Sequence, residues 1–153
     1  MRDWLFKTEP DAYSIDDLAR DGRTRWDGIR NYQARNRLRD EVNAGDRVLV
    51  YHSSCAVPAV VGIATVVGTA EPDPSQFDPE SPYYDPRSSP QAPRWVMVTL
   101  AYQAHLPTPV TLKQIKTDPV FAELELVHRG RLSIQVVDPH SAALILERGG
   151  LQQ

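Results

Sequence analysis

The sequence predicts an α+β fold, a mixed and partly closed β-barrel of about five strands with small helices inserted. Three observations carry that expectation. Strand-like runs cluster along the chain rather than alternating with helices, which disfavours a doubly wound sheet. The 153 residues, 41% of them hydrophobic, amount to one domain's worth of chain with a core to bury, so residues 1–153 are expected to form a single domain. The 13 prolines exceed the ordinary share of about 5%, and seven of them crowd into residues 72–93, which marks a long surface loop.

Residues 3–8 (DWLFKT) form a short apolar run halted by a Glu-Pro step, which suits a first strand. Ser14 followed by Asp17 has the spacing of a capping box, so a short helix is expected through about Asp21, closed by Gly22. Trp26-Asp27-Gly28 reads as a turn. Residues 31–42 carry three arginines and sparse apolar positions, which predicts an exposed helix ended by a turn at 43–45. The valine-rich runs 47–52 and 59–67 read as strands, as does the alternating segment 94–105. Segments 111–116 and 119–126 look helical, 131–137 is a last strand, and Asp138-Pro139 opens a final helix that Gly149 closes.

Several chemistries find no support. A single cysteine, Cys55, precludes an internal disulfide and a multi-cysteine metal site. His52, His105, His128 and His140 lack the spacing of metal ligands on one helix face, and no phosphate-loop or nucleophile-elbow motif occurs. Neither a metal nor a cofactor is expected, and no catalytic residue is assigned. With no stretch near 18 apolar residues and no apolar leader at the amino terminus, the expectation is a soluble cytoplasmic protein without a membrane partner.

Charge is unevenly placed. The net charge is −3, which argues against a protein that coats nucleic acid. Yet residues 20–39 hold seven arginines against Asp21 and Asp27, a local balance of +5. Trp26, Asn31, Tyr32 and Gln33 are interleaved with them. Guanidinium forks suit phosphate oxygens, while aromatic faces and amides suit an unstacked base. A solvated helix face laced with pairs such as Arg37 and Glu41 explains the same composition equally well.

The runs Trp4-Leu-Phe-Lys-Thr-Glu-Pro10, Tyr13-Ser-Ile-Asp-Asp-Leu18 and Trp26-Asp-Gly-Ile-Arg-Asn-Tyr-Gln-Ala-Arg-Asn36 resemble the signature of EVE-domain proteins, within the PUA-like superfamily. Gly45-Asp46, Tyr51-His-Ser53, Pro72-Asp-Pro-Ser and Leu132-Ser-Ile-Gln135 extend the likeness over nearly the whole chain. One departure is Val136, where the family pattern has proline. The resemblance implies a PUA-like mixed β-barrel of five to six strands flanked by short helices. It also implies a non-catalytic reader of a modified base in DNA or RNA, with modified cytosine the expected ligand, flipped or single-stranded. By motif, Lys7, Thr8, Trp26, Asn31 and Tyr32 fall on the pocket side, and His52 and Ser53 on the opposite wall. Arg30 and Arg35 are then the expected phosphate contacts. An RNA-binding module and a hydrolase of modified nucleotides with His52 as base remain the alternatives.

Overall fold

The computed structural model describes residues 1–151; the last two positions of the expected 1–153 domain lie outside the described residues. Six strands form one sheet: β1 (Asp3–Thr8), β2 (Arg23–Trp26), β3 (Arg47–His52), β4 (Ala59–Pro72), β5 (Val96–Thr111) and β6 (Ile134–Val137). Five helices surround it: α1 (Ile15–Asp21), α2 (Tyr32–Asp40), α3 (Leu112–Thr117), α4 (Glu125–His128) and α5 (Pro139–Arg148). The strand order is β2-β5-β4-β3-β1-β6. Only β1 and β3 run parallel; the other neighbours are antiparallel.

The sheet is mixed and strongly curled. β1 and β2 lie four strand spacings apart, about 19 Å in a flat sheet at ~4.8 Å per step. Phe6 of β1 and Trp26 of β2 nevertheless bring their ring centroids to 5.9 Å. Curling is eased by register shifts at three places along the β4–β5 pair. The edges β2 and β6 do not pair with each other, so the barrel stays open on that side.

Alternation along β1 divides the core in two. Trp4 and Phe6 join Val48, Val50, Leu100 and Ile134 on the concave face, which α1 and α2 cover with Leu18 and Leu38. Leu5 points the other way and joins Leu49, Phe121, Ile145 and Leu146 beneath α5.

Four expectations need correction. Trp26, expected in a turn, ends a strand formed by residues 23–26, for which the sequence predicts no strand. The sequence hides it because only Trp26 of the four is buried, as suits an edge strand paired to β5 alone. β4 runs five residues past Val67, and β5 continues to Thr111 through Pro107 and Pro109. Pro107 and Pro109 fall between the Gly62–His105 and Val60–Val110 pairs, where the β4–β5 register shifts, and such a bulge tolerates prolines. α2 is not a merely exposed helix, since Ala34 and Leu38, at i and i+4, are fully buried. Arg37 is paired with Glu125 of α4 through two bonds of 2.7 and 2.8 Å, not with Glu41. Glu125 also accepts the Val136 amide at 2.7 Å, a bond that a proline at 136 could not make.

Candidate functional site

β2 ends at Trp26, and the chain reverses through Asp27-Gly28 before α2 begins behind its N-cap, Asn31. Gly28 has φ +77°, and an added Cβ there would lie 2.9 Å from the Tyr83 ring, so both the turn and the close approach of Tyr83 require glycine. The Gly28 amide donates to Asp73 at 2.8 Å. Asp73 is 0% exposed and also accepts from the Ser75 amide, the Ser75 hydroxyl and Arg30. Burial alone would raise its pKa, but these donors outweigh burial and hold it below the usual carboxylate range.

Arg30 is the hub of this knot. Its Nε and one Nη2 proton point to the Tyr83 carbonyl, the other Nη2 proton to Ser75, and Nη1 to Ile29 O and Asp73. All five N–H donors are thereby engaged inside the protein. The expected phosphate role of Arg30 does not fit, because no donor is left for a ligand. The knot ties the proline-rich loop to the Trp26–Asn31 segment.

Beside the knot opens a cavity of about 580 Å³ between the end of β1, β2 and that loop. Of the expected base-pocket residues, Lys7, Thr8, Trp26 and Asn31 line it. The Lys7 ammonium donates to Gly130 O at 2.7 Å, and burial lowers its pKa. The Thr8 hydroxyl donates to Tyr13 O at 2.8 Å, leaving its oxygen able to accept. The Asn31 side-chain oxygen caps α2 through the Ala34 amide at 2.9 Å, which leaves its NH2 group free to donate. Trp26 is 7% exposed and packs against Phe6 and, edge-on, Tyr13, so it is a wall more than a stacking platform. Tyr83, also lining the cavity, is 43% exposed and is the aromatic with a face to offer.

Three expected pocket residues lie elsewhere. Tyr32 stacks on Trp95 at 4.7 Å outside the cavity, because the first turn of α2 directs it away from the β1 end. His52 accepts the Ile15 amide at 3.1 Å and so holds the start of α1; burial lowers its pKa, keeping it the neutral acceptor this bond needs. Ser53 donates its amide to Thr8 O at 2.9 Å and bridges two strand ends without lining the cavity. Arg35 is likewise engaged, donating to Arg94 O and Asn36 and lying 4.9 Å over Tyr32.

The available cations are others. Arg25 lines the cavity, is exposed, and has no hydrogen-bond or ion-pair partner among the described residues. A second groove of about 290 Å³ adjoins the cavity through Asn31 and carries Gln33, Arg129 and Arg131. Arg129 is tied to Gln33 and Glu125, whereas Arg131 is exposed and unpartnered among the described residues. Asp27 and Arg25 are thus cavity residues that the sequence reading did not select, although they lie within or beside the motif run.

A family model of the EVE domain matches residues 2–148. The chain belongs to the EVE domain family. Thymocyte nuclear protein 1 of Gallus gallus is 38% identical over 151 residues, covering 86% of this chain and 62% of that protein, so the chain spans less than two thirds of that relative's length. The crystal structure of a protein from Pseudomonas putida superposes with a TM-score of 0.91 at 43% identity, covering 96% of this chain and 99% of that one. Human THYN1, solved in complex with 5-methylcytosine-containing DNA, superposes with a TM-score of 0.93 at 32% identity over 100% of both chains. The EVE match takes in the cavity, the Arg30–Asp73 knot and the second groove alike.

Proposed function

We propose that this EVE domain is a nucleic-acid reader that takes one modified base, a 5-substituted cytosine, into the cavity beside the Asp27-Gly28 turn. The observation that carries the reading is the cavity itself. It is of small-molecule size, walled by Trp26, Tyr13 and Tyr83, supplied with polar groups by Thr8 and Asn31, and rimmed by the unpaired Arg25. The DNA complex of human THYN1, which shares the fold end to end, supports the same reading. Unstacking a base costs a few kcal/mol and an aromatic contact returns about 1–3, so the reader holds an isolated base weakly and relies on its neighbours. Arg25 at the rim and Arg131 in the adjoining groove are the flanking phosphate contacts. A protein of net charge −3 then touches a few phosphates and one base, not a coat of backbone.

The test is a binding panel of short oligonucleotides carrying cytosine, 5-methylcytosine, 5-hydroxymethylcytosine or adenine, as single strands and duplexes, in DNA and RNA. Tighter binding of a modified cytosine than of cytosine is expected, with the oligonucleotide recovered unchanged by mass spectrometry. Equal affinities throughout would overturn the reader, and turnover would make the protein an enzyme.

A further inference from the structure

Asp27 stands out in the cavity wall. It lines the cavity on the turn itself, and its carboxyl meets only its own backbone amide, with no hydrogen bond or ion pair to another side chain among the described residues, while Asp73, the carboxylate of the knot, is saturated. A carboxyl that supports no part of the fold and borders an open cavity is available to a ligand. Resting on the reader proposed above, we infer that Asp27 reads the edge of the bound base. The ligand class is a base with an amino group beside a basic ring nitrogen, bound with uptake of one proton shared between the Asp27 carboxyl and that nitrogen.

The chemistry selects that class. An ionised carboxylate has two acceptor oxygens. Cytosine offers it one donor, the N4 amino group, and beside it the lone pair of N3, which repels the second oxygen. One proton taken from water removes the repulsion, and two parallel bonds form: N4–H to one oxygen, and N3–H–O to the other. Thymine has the same size and the same 5-methyl group, and a protonated carboxyl can also form two bonds with it, O–H to O4 and N3–H to the carboxyl oxygen. But O4 is far less basic than cytosine N3, so the shared proton is held less tightly with thymine. A hydrogen bond with ionic character is worth about 1 kcal/mol or more beyond a neutral one, which sets the expected preference at about tenfold in affinity.

The surroundings favour the shared proton. Partial desolvation raises the Asp27 pKa and the negative charge of Asp73 raises it further, against opposing contributions from its own backbone amide and from Arg30. From its own segment, Arg25 and Arg30 flank Asp27; the proline-rich loop contributes Asp73 and Tyr83; the end of β1 contributes Lys7 and Glu9. Tyr13 also lines the cavity, with its hydroxyl engaged by Asp21 at 2.8 Å. Proton uptake on binding means that affinity for the cytosine class falls as pH rises, by up to tenfold per unit.

Fluorescence anisotropy with single-stranded oligonucleotides bearing one central 5-methylcytosine, cytosine or thymine, between pH 5.5 and 8.5, tests this. Wild type is expected to prefer 5-methylcytosine over thymine by about tenfold at the acid end, with the preference shrinking as pH rises. Asp27→Asn, whose amide pairs with either base by rotating, is expected to flatten the pH profile and reduce the preference to about threefold or less. Glu147→Gln, on the exposed face of α5 and outside both cavities, should leave both unchanged. An Asp27→Asn variant that folds, binds and keeps the wild-type slope and preference overturns the role of Asp27. Wild type that binds 5-methylcytosine no better than cytosine overturns the reader instead, so the two failures are distinguishable.

Discussion

Arg25 and Arg30 stand five residues apart, on either side of one glycine turn, and have opposite environments. Arg30 is locked to the buried Asp73, to Ser75 and to the Tyr83 carbonyl. Arg25 projects from an edge strand with nothing to bind among the described residues. The same contrast runs through the arginine-rich stretch. Arg20 pairs with Asp17 and Asp21, Arg37 with Glu125, and Arg39 with Asp40, while Arg35 is held by carbonyl and amide oxygens. Most partners lie outside residues 20–39, so a local count of +5 overstates the charge that a ligand meets. Cation content is read from sequence; cation availability is a tertiary property.

The largest test of that contrast is Arg30→Ala. It leaves the fully buried Asp73 without its counter-ion and is expected to cost about 3–5 kcal/mol in denaturant unfolding; a loss below about 1 kcal/mol would make the knot dispensable. Tyr83→Ala removes the exposed aromatic without emptying the core, so it is expected to weaken modified-base binding by about 1–3 kcal/mol while leaving the unfolding midpoint nearly unchanged. Trp26→Ala is the poorer probe, because Trp26 belongs to the core and its loss confounds binding with folding. Gly28→Ala forces a positive φ on a side chain and pushes on Tyr83, so a stability loss of about 1–2 kcal/mol together with weaker base binding is expected.

Arg25→Ala should leave stability untouched and reduce the salt slope of duplex binding by about 0.9, roughly a three-to-fourfold change between 50 and 200 mM salt. Arg30→Ala, compared in the same titration, should show no such selective change of slope. Equal slopes for Arg25→Ala and wild type would remove Arg25 from the interface. The smallest effect concerns His52. Its folded pKa lies below the ordinary value of 6.5, so the unfolded chain binds the proton more readily. Its contribution is present above about pH 6.5 and is lost as pH falls from there toward the folded value. His52→Gln should lessen that acid sensitivity in thermal melts at pH 7.5 and 5.5; an unchanged pH dependence would remove His52 as its source.

Much of the fold was legible because it rests on local rules. The Ser14 capping box, the Asp138 cap and the strands β1 and β3 all formed where the residues indicated. β2 was not legible, since an edge strand with one buried residue in four carries no period-2 signal. For the site, part of the motif run borders the cavity, and Lys7, Thr8, Trp26 and Asn31 share it. Tyr32, His52 and Ser53 do not join them, because side-chain direction on a helix turn or strand end depends on packing partners distant in sequence.

By itself, then, the sequence determined the family, the mixed sheet and its caps, and the segment that builds the cavity. Those follow from nearest-neighbour chemistry and a long motif. Only the tertiary structure decided which polar groups remain open to a ligand. Arg30 and His52 are consumed by backbone carbonyls, a buried carboxylate and a helix amide, and Arg35 is held in part by the Arg94 carbonyl and Asn36. Arg25 and Asp27 are left unsatisfied beside them. The physical reason is that a hydrogen bond or ion pair saturates a group wherever its partner comes from, and the curl that brings β1 within contact of β2 is not encoded in either strand alone.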